Sequence, residues 1–112
     1  MGNPDYYKGT PVVLVNGLTM SEAEFVATMI GNAPKGYVIG EPTSGVYGNV
    51  LYVPFISGIA TRITGRGAYW FDGTCTFPEG VQIDRYVYPT IESTKEGKDR
   101  MLEEAIKYIM NN

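Results

Sequence analysis

Histidine is absent from these 112 residues, and cysteine occurs once, at position 75. Without histidine, the chain lacks the side chain that most often serves as a general base near neutral pH. A single cysteine excludes a disulfide framework, and together the two scarcities exclude a zinc site built from Cys and His. Acid–base chemistry would therefore need a lysine, a carboxylate or a base from outside this sequence.

Basic residues and long apolar runs are also scarce. Nine lysines and arginines against twelve acidic residues give a net charge of −3, which argues against a nucleic-acid-binding surface. No apolar run approaches the roughly 20 residues that a membrane-spanning helix needs. What the sequence does contain is 44% hydrophobic and 12% aromatic residues, enough to bury a core. We therefore expect one folded domain.

The first 40 residues predict a βαβ unit. Pro11–Asn16 and Tyr37–Gly40 are short apolar runs beside glycines, typical of strands buried in a parallel sheet. Thr19 and Glu22 fit a capping box, which would begin a helix between these two strands. Apolar residues at helical spacing then predict its buried face: Ala23, Val26, Ala27 and Ile30.

The rest of the chain predicts antiparallel hairpins and a final helix. The expected strands of these hairpins, separated by glycine-containing turns, are Val50–Phe55, Ile59–Thr64 and Ala68–Phe71, and Arg85–Tyr88 is expected as a separate, last short strand. Ser93 and Glu96 fit a second capping box. The C-terminal helix would bury the apolar residues Leu102, Ala105, Ile106 and Ile109.

Ser21 is the candidate nucleophile, because it stands where the first strand gives way to the first helix. With Thr19 as the N-cap, Ser21 would lie beside unpaired N–H groups at the positive end of the helix dipole. Such donors stabilise an alkoxide or the oxyanion of an attacked carbonyl. The position also suits an ordinary polar residue of a first turn. No lysine is placed to activate it: Lys8 and Lys35, for example, would each lie about 20 Å away.

Two motifs resemble a known family. TMSEAEF at Thr19–Phe25 and VIGEPTSG at Val38–Gly45 occur in the order and at the spacing found in the C-terminal processing (tail-specific) serine peptidases. The likeness runs from about Pro11 to Ile109. Residues 11–112 thus resemble the C-terminal portion of the catalytic domain, and residues 1–10 are interpreted as a lead or an expression-derived start. The resemblance implies an α/β fold of the ClpP/crotonase-like type, with a βαβ unit, antiparallel hairpins and a C-terminal helix.

The resemblance also implies roles for particular residues. Ser21 would be the nucleophile, and the backbone N–H of Glu22 would form half of the oxyanion hole. The glycine-rich segment would line the substrate groove and offer its backbone to an extended peptide, through Thr43, Ser44, Gly45 and Val46. No metal or organic cofactor is implied, and the expected partner is a polypeptide substrate rather than a nucleic acid.

Val46 departs from the pattern of the Ser/Lys members, which carry their general-base lysine at this place. The sequence is therefore more similar to the tricorn-core branch, in which an upstream histidine is the base and a glutamate near an EGV motif steadies the site. Glu79 occupies that glutamate's place, although it could equally be a solvated loop carboxylate. The histidine and the second oxyanion donor would lie outside these residues. We thus expect the C-terminal piece of a longer peptidase, inactive alone.

Two alternatives remain open at this point. The same fold could serve as a non-catalytic binding module for apolar ligands or peptides. The chain could also be only a folding unit, with an exposed apolar patch where the missing N-terminal part of the same domain docks. The aromatic residues Tyr47, Tyr52, Tyr69 and Trp70 could line a cleft or pack a sheet face. By resemblance, the expected location is the bacterial cell envelope or periplasm.

Overall fold

A computed structural model describes residues 4–69 and 72–112. In chain order the elements are β1 (Val12–Val15), α1 (Glu22–Gly31), β2 (Tyr37–Gly40), β3 (Val50–Pro54), a 3-10 turn (Ile56–Gly58), β4 (Ala60–Thr64), β5 (Arg85–Tyr86), α2 (Ile91–Lys95) and α3 (Arg100–Met110). Strands β1, β2 and β5 form a parallel sheet in the order β1-β2-β5. The predicted βαβ unit and the α/β class are confirmed.

Helices cover both faces of the parallel sheet. On one face, Ala27 of α1 packs with Val15, Val38 and Val81 in a buried cluster. On the other, Ala105 of α3 packs with Ile39 and Val87. Neighbouring strand residues contribute to opposite clusters because successive side chains of a strand alternate between faces. This arrangement holds the end of β1 between the two helix layers. The turn that leads from β1 into α1 therefore begins at a fixed place.

The predicted hairpin of β3 and β4 is confirmed, with Val50 paired to Thr64 and Pro54 to Ala60. Its side chains are almost all exposed. The expected strand at residues 68–71 lies partly outside the described residues; within them, Tyr69 makes an isolated bridge to Cys75. The last strand is shorter than predicted and ends at Tyr86.

Both predicted capping boxes are wrong by a few residues. Ser21, not Thr19, is the N-cap of α1, and the carboxylate that reaches back to it belongs to Glu24, not Glu22. The Thr19 hydroxyl instead accepts from the Asn16 N–H, which closes a turn before the helix begins. Thr90, not Ser93, caps α2. Asp99 then caps α3, so the tail forms two helices rather than one.

Strand β1 is an edge of the described sheet, and apolar side chains flank it. Glu104 of α3 pairs with Arg85 of β5, so the opposite side of α3 lies toward β1. We call the exposed apolar residues there the β1-edge surface: Leu14, Leu102, Ile106 and Ile109. That these residues mark the docking place of a missing part of the domain stays a prediction. Of the four side chains that the sequence places on the buried face of the tail helix, only Ala105 is buried, whereas Leu102, Ile106 and Ile109 are about half-exposed.

Candidate functional site

Ser21 stands at the turn between β1 and α1, in a backbone conformation that few residues adopt. Its φ is 55° and its ψ is −120°, a combination sterically costly for a residue with a Cβ atom. The sequence predicted Ser21 inside the first helical turn, and this detail is wrong. The sharp reversal at Ser21 needs one non-helical residue before α1, so the helix starts at Glu22.

Two acceptors hold the backbone of Ser21 in place. Its N–H donates to the carbonyl oxygen of Val46 at 2.9 Å and to Oε2 of Glu24 at 3.0 Å. The next N–H, that of Glu22, is the first of α1, where helical geometry supplies no acceptor. Ser21 N–H is thus already engaged, whereas the Glu22 N–H stands at the positive end of the helix, where an oxyanion would be stabilised.

Glu24 is the central connection of the site, and the sequence reasoning did not single it out. Its side chain is completely buried, and its Oε1 accepts from the Thr43 hydroxyl at 2.6 Å and from the Gly45 N–H at 2.8 Å. Together with the bond from Ser21, one carboxylate joins the serine turn to the glycine-rich loop. Glu24 lies three residues before the buried Ala27, and this spacing places both residues on the inward face of α1. The helical spacing could therefore have identified Glu24 from the sequence.

Of the four predicted groove residues, only Val46 bonds directly to Ser21, and none of the four is in the lining of the groove described below. Thr43 and Gly45 are buried, and Thr43 also accepts from the Val81 N–H. Ser44 is exposed, although its N–H donates to Thr19 and its hydroxyl to Gly17. Val46 is exposed, and its carbonyl accepts from Ser21. Contact between these residues and a peptide stays a prediction.

Glu79 lies in a turn that packs against the same loop. A Cβ atom on Gly45, whose φ is 65°, would meet the carbonyl oxygen of Pro78. One on Gly80, whose φ is 75°, would meet the hydroxyl oxygen of Thr43. These two close backbone approaches require glycine and bring the turn to the site. The Glu79 side chain itself is exposed.

A groove of about 540 Å³ opens beside Ser21. Its walls, among the described residues, come from α1, from the end of the glycine-rich loop and from β3: Ser21, Glu22, Phe25, Tyr47, Gly48, Asn49, Val50 and Tyr52. Two of the aromatic residues considered from the sequence, Tyr47 and Tyr52, thus line a cleft rather than pack a core. Tyr69 is 66% exposed, and Trp70 lies outside the described residues.

Among the described residues, no group of three or more His, Cys, Asp or Glu side chains lies close enough to hold a metal ion. None of the helices in residues 4–69 and 72–112 has the length and apolar character to cross a bilayer.

Comparisons with known proteins give a family match and a similar solved structure. Residues 2–87 match the family model of peptidase family S41. The crystal structure of a protein from Parabacteroides merdae ATCC 43184, named a "putative peptidase", superposes with a TM-score of 0.79 at 24% sequence identity. The match covers 88% of this chain and 31% of that one, so the chain spans about a third of the similar protein. The comparison with curated proteins gives no match.

The two motifs and the turn at Ser21 both fall within residues 2–87, the region that the family model matches. That region is well over half of the chain, and the expected resemblance to the C-terminal processing peptidases is confirmed. On these grounds the chain belongs to peptidase family S41.

Proposed function

We propose that this chain carries the nucleophile of a serine endopeptidase, and that the nucleophile is Ser21. The observation that carries the proposal is the conformation of Ser21: a strained residue between a buried strand and a helix, in the wall of a groove. Strain of this kind persists only where surrounding contacts impose it, as the bonds from Ser21 to Val46 and Glu24 do here.

The chemistry would proceed through an acyl-enzyme. The Ser21 Oγ attacks the carbonyl carbon of a peptide bond and gives its proton to a base. The negative oxygen of the tetrahedral intermediate then accepts from the Glu22 N–H at the start of α1. The base returns the proton to the leaving amine, and water later hydrolyses the ester on Ser21.

The base would come from polypeptide outside these 112 residues. The sequence has no histidine, and none of its lysines lines the described part of the groove. Glu79 would then orient the incoming base indirectly, as its nearness to the glycine-rich loop allows. It follows that the chain by itself is inactive as a peptidase.

The β1-edge surface is where we propose that this additional part of the catalytic domain docks. Outward-facing backbone groups of an edge strand can pair with a further strand, and Leu14 and Ile106 would be covered by it. The similar Parabacteroides protein is about three times as long as the part that matches, which supports this proposal. The cell envelope stays the proposed location, on the family resemblance alone.

Fluorophosphonate labelling tests the proposal directly. We expect covalent labelling of the longest natural protein that contains this sequence, no labelling of the 112-residue chain, and none of the long protein with Ser21→Ala. The absence of labelling in a folded long protein would favour the non-catalytic binding module instead. Rapid labelling of the short chain would show that a base lies within it.

A further inference from the structure

The groove beside Ser21 has one aromatic wall on the helix and another on the hairpin. We propose that this groove holds a large apolar or aromatic side chain of the substrate, at a residue that flanks the bond to be cleaved. The inference rests on the proposed role of Ser21 and adds the substrate class.

The helix wall places an aromatic ring in the same groove as the nucleophile. Phe25 is four residues after Ser21, so its side chain lies about one turn along the same side of α1. The Tyr47 ring lies against it, with the two centroids 6.4 Å apart and the planes tilted by 53°. Such tilted pairs are favourable, and this one joins the helix to the end of the glycine-rich loop. Even so, Phe25 remains 48% exposed, which leaves apolar surface free for a ligand.

The hairpin wall faces the groove through alternate residues of β3. Val50 and Tyr52 share one face of the strand and line the groove, whereas Leu51 points to the other face. Arg62 is paired with Tyr52 across the hairpin, and its guanidinium lies 5.0 Å from the centre of the tyrosine ring. This cation–π contact restrains the Tyr52 ring, which is still 65% exposed.

The volume and the charge of the groove further restrict the kind of side chain that it can hold. A volume of about 540 Å³ leaves room for an aromatic side chain together with part of the peptide backbone. Glu22 is the one charged residue in the described lining and the Arg62 guanidinium lies against the Tyr52 ring, so charge of one sign does not dominate the groove. Burial of a phenyl ring against these walls should tighten binding by about tenfold or more.

Binding of short peptides tests the proposal without any need for catalysis. The 112-residue chain is titrated, with NMR detection, with N-acetyl-Ala-Ala-Phe and N-acetyl-Ala-Ala-Gly, and with Phe-Ala-Ala-amide and Gly-Ala-Ala-amide. The two pairs report on the two sides of the scissile bond. In at least one pair we expect a Kd about tenfold lower for the phenylalanine peptide, and loss of that preference in Phe25→Ala and Tyr52→Ala. Tyr88→Ala, which changes a half-exposed aromatic outside the groove, should keep it.

Each other outcome overturns the inference. The inference is wrong if the Kd values are equal within both pairs of peptides, or if no peptide binds. It is also wrong if the preference for phenylalanine survives both groove substitutions. Tyr52→Ala changes an exposed side chain of the hairpin, so its result does not depend on whether Phe25→Ala folds. Peptide binding needs no nucleophile, whereas the loss of labelling in Ser21→Ala of the long protein tests the nucleophile alone. The peptide result and the proposed nucleophile can therefore fail independently.

Discussion

At the residue scale, the site depends on one buried carboxylate. Glu24 accepts from a backbone N–H of the serine turn, from the Thr43 hydroxyl and from the Gly45 N–H. Burial of a charged group is costly unless it is fully hydrogen-bonded, and these three donors offset that cost. The bonds also fix the distance between Ser21 and the glycine-rich loop. Glu24 is thus a positioning residue: it holds the backbone of Ser21 and the glycine-rich loop, and it is not among the residues that line the groove.

Removal of this carboxylate should destabilise the chain. In Glu24→Ala, the Thr43 hydroxyl and the Gly45 N–H lose their acceptor inside the protein, whereas Ser21 keeps its bond to Val46. We expect the free energy of unfolding to fall by about 2–5 kcal/mol, measured by urea denaturation with circular dichroism. Glu22→Ala, an exposed carboxylate on the same helix, should cost under about 1 kcal/mol. Equal losses in the two variants would contradict the assigned role of Glu24.

At the element scale, the hairpin differs from the parallel sheet in what supports it. The central strand β2 pairs on both sides and carries the fully buried Ile39. Within the described residues, β3 and β4 pair only with each other, and β4 is exposed throughout. An isolated two-stranded hairpin is marginally stable in water, because few apolar side chains are buried when it forms. The hairpin wall of the groove is therefore the less stable one.

Amide hydrogen exchange should report this difference. We expect the hydrogen-bonded amides of β3 and β4 to exchange about 100-fold or more faster than that of Ile39, since local opening of the hairpin exposes little core. The measurement is exchange into D2O followed by NMR at neutral pH. Comparable protection in the two sheets would mean that the hairpin is held by contacts that the present fold does not contain.

At the scale of the whole molecule, a small core is accompanied by many exposed apolar side chains, and those of the β1-edge surface are among them. Val15 and Ile39 are almost fully buried, yet Ile106 is 54% exposed. A monomeric protein rarely leaves a contiguous apolar patch without a use for it. The location of this patch along an unpaired strand edge suits an additional strand and its covering side chains.

A charge placed on that surface should change dye binding without a change in stability. Ile106→Lys should lower the fluorescence of the apolar dye ANS by roughly a third or more, because it places a charge among the exposed apolar side chains of the β1-edge surface. The free energy of unfolding should stay within about 0.5 kcal/mol, since the side chain is exposed. Ile91→Lys changes an exposed isoleucine of α2, which is not part of the β1-edge surface. This variant should leave dye fluorescence nearly unchanged. A similar loss of fluorescence in both variants would contradict a localised surface.

The sequence by itself determined the first strand, helix and strand and the residue at the strand-to-helix turn. The apolar runs at Val12–Val15 and Tyr37–Gly40 and the helical spacing between them depend on local periodicity, which one sequence displays. The family resemblance likewise depends on linear motifs. Helix starts were less accurate, because Thr19 and Ser21 are both good N-caps and the choice between them depends on the turn before the helix.

Only the tertiary structure decided which groups meet at the site. The bonds from Thr43 and Gly45 to Glu24 join residues 19 and 21 positions apart in the chain. The aromatic wall formed by Phe25, Tyr47 and Tyr52 likewise needs three elements in contact. Local sequence fixes backbone preferences within a few residues, whereas these contacts arise from packing of the helix and hairpin around the end of β1. The inward turn of Glu24 has the same origin, since a carboxylate is buried only where folding brings donors to it.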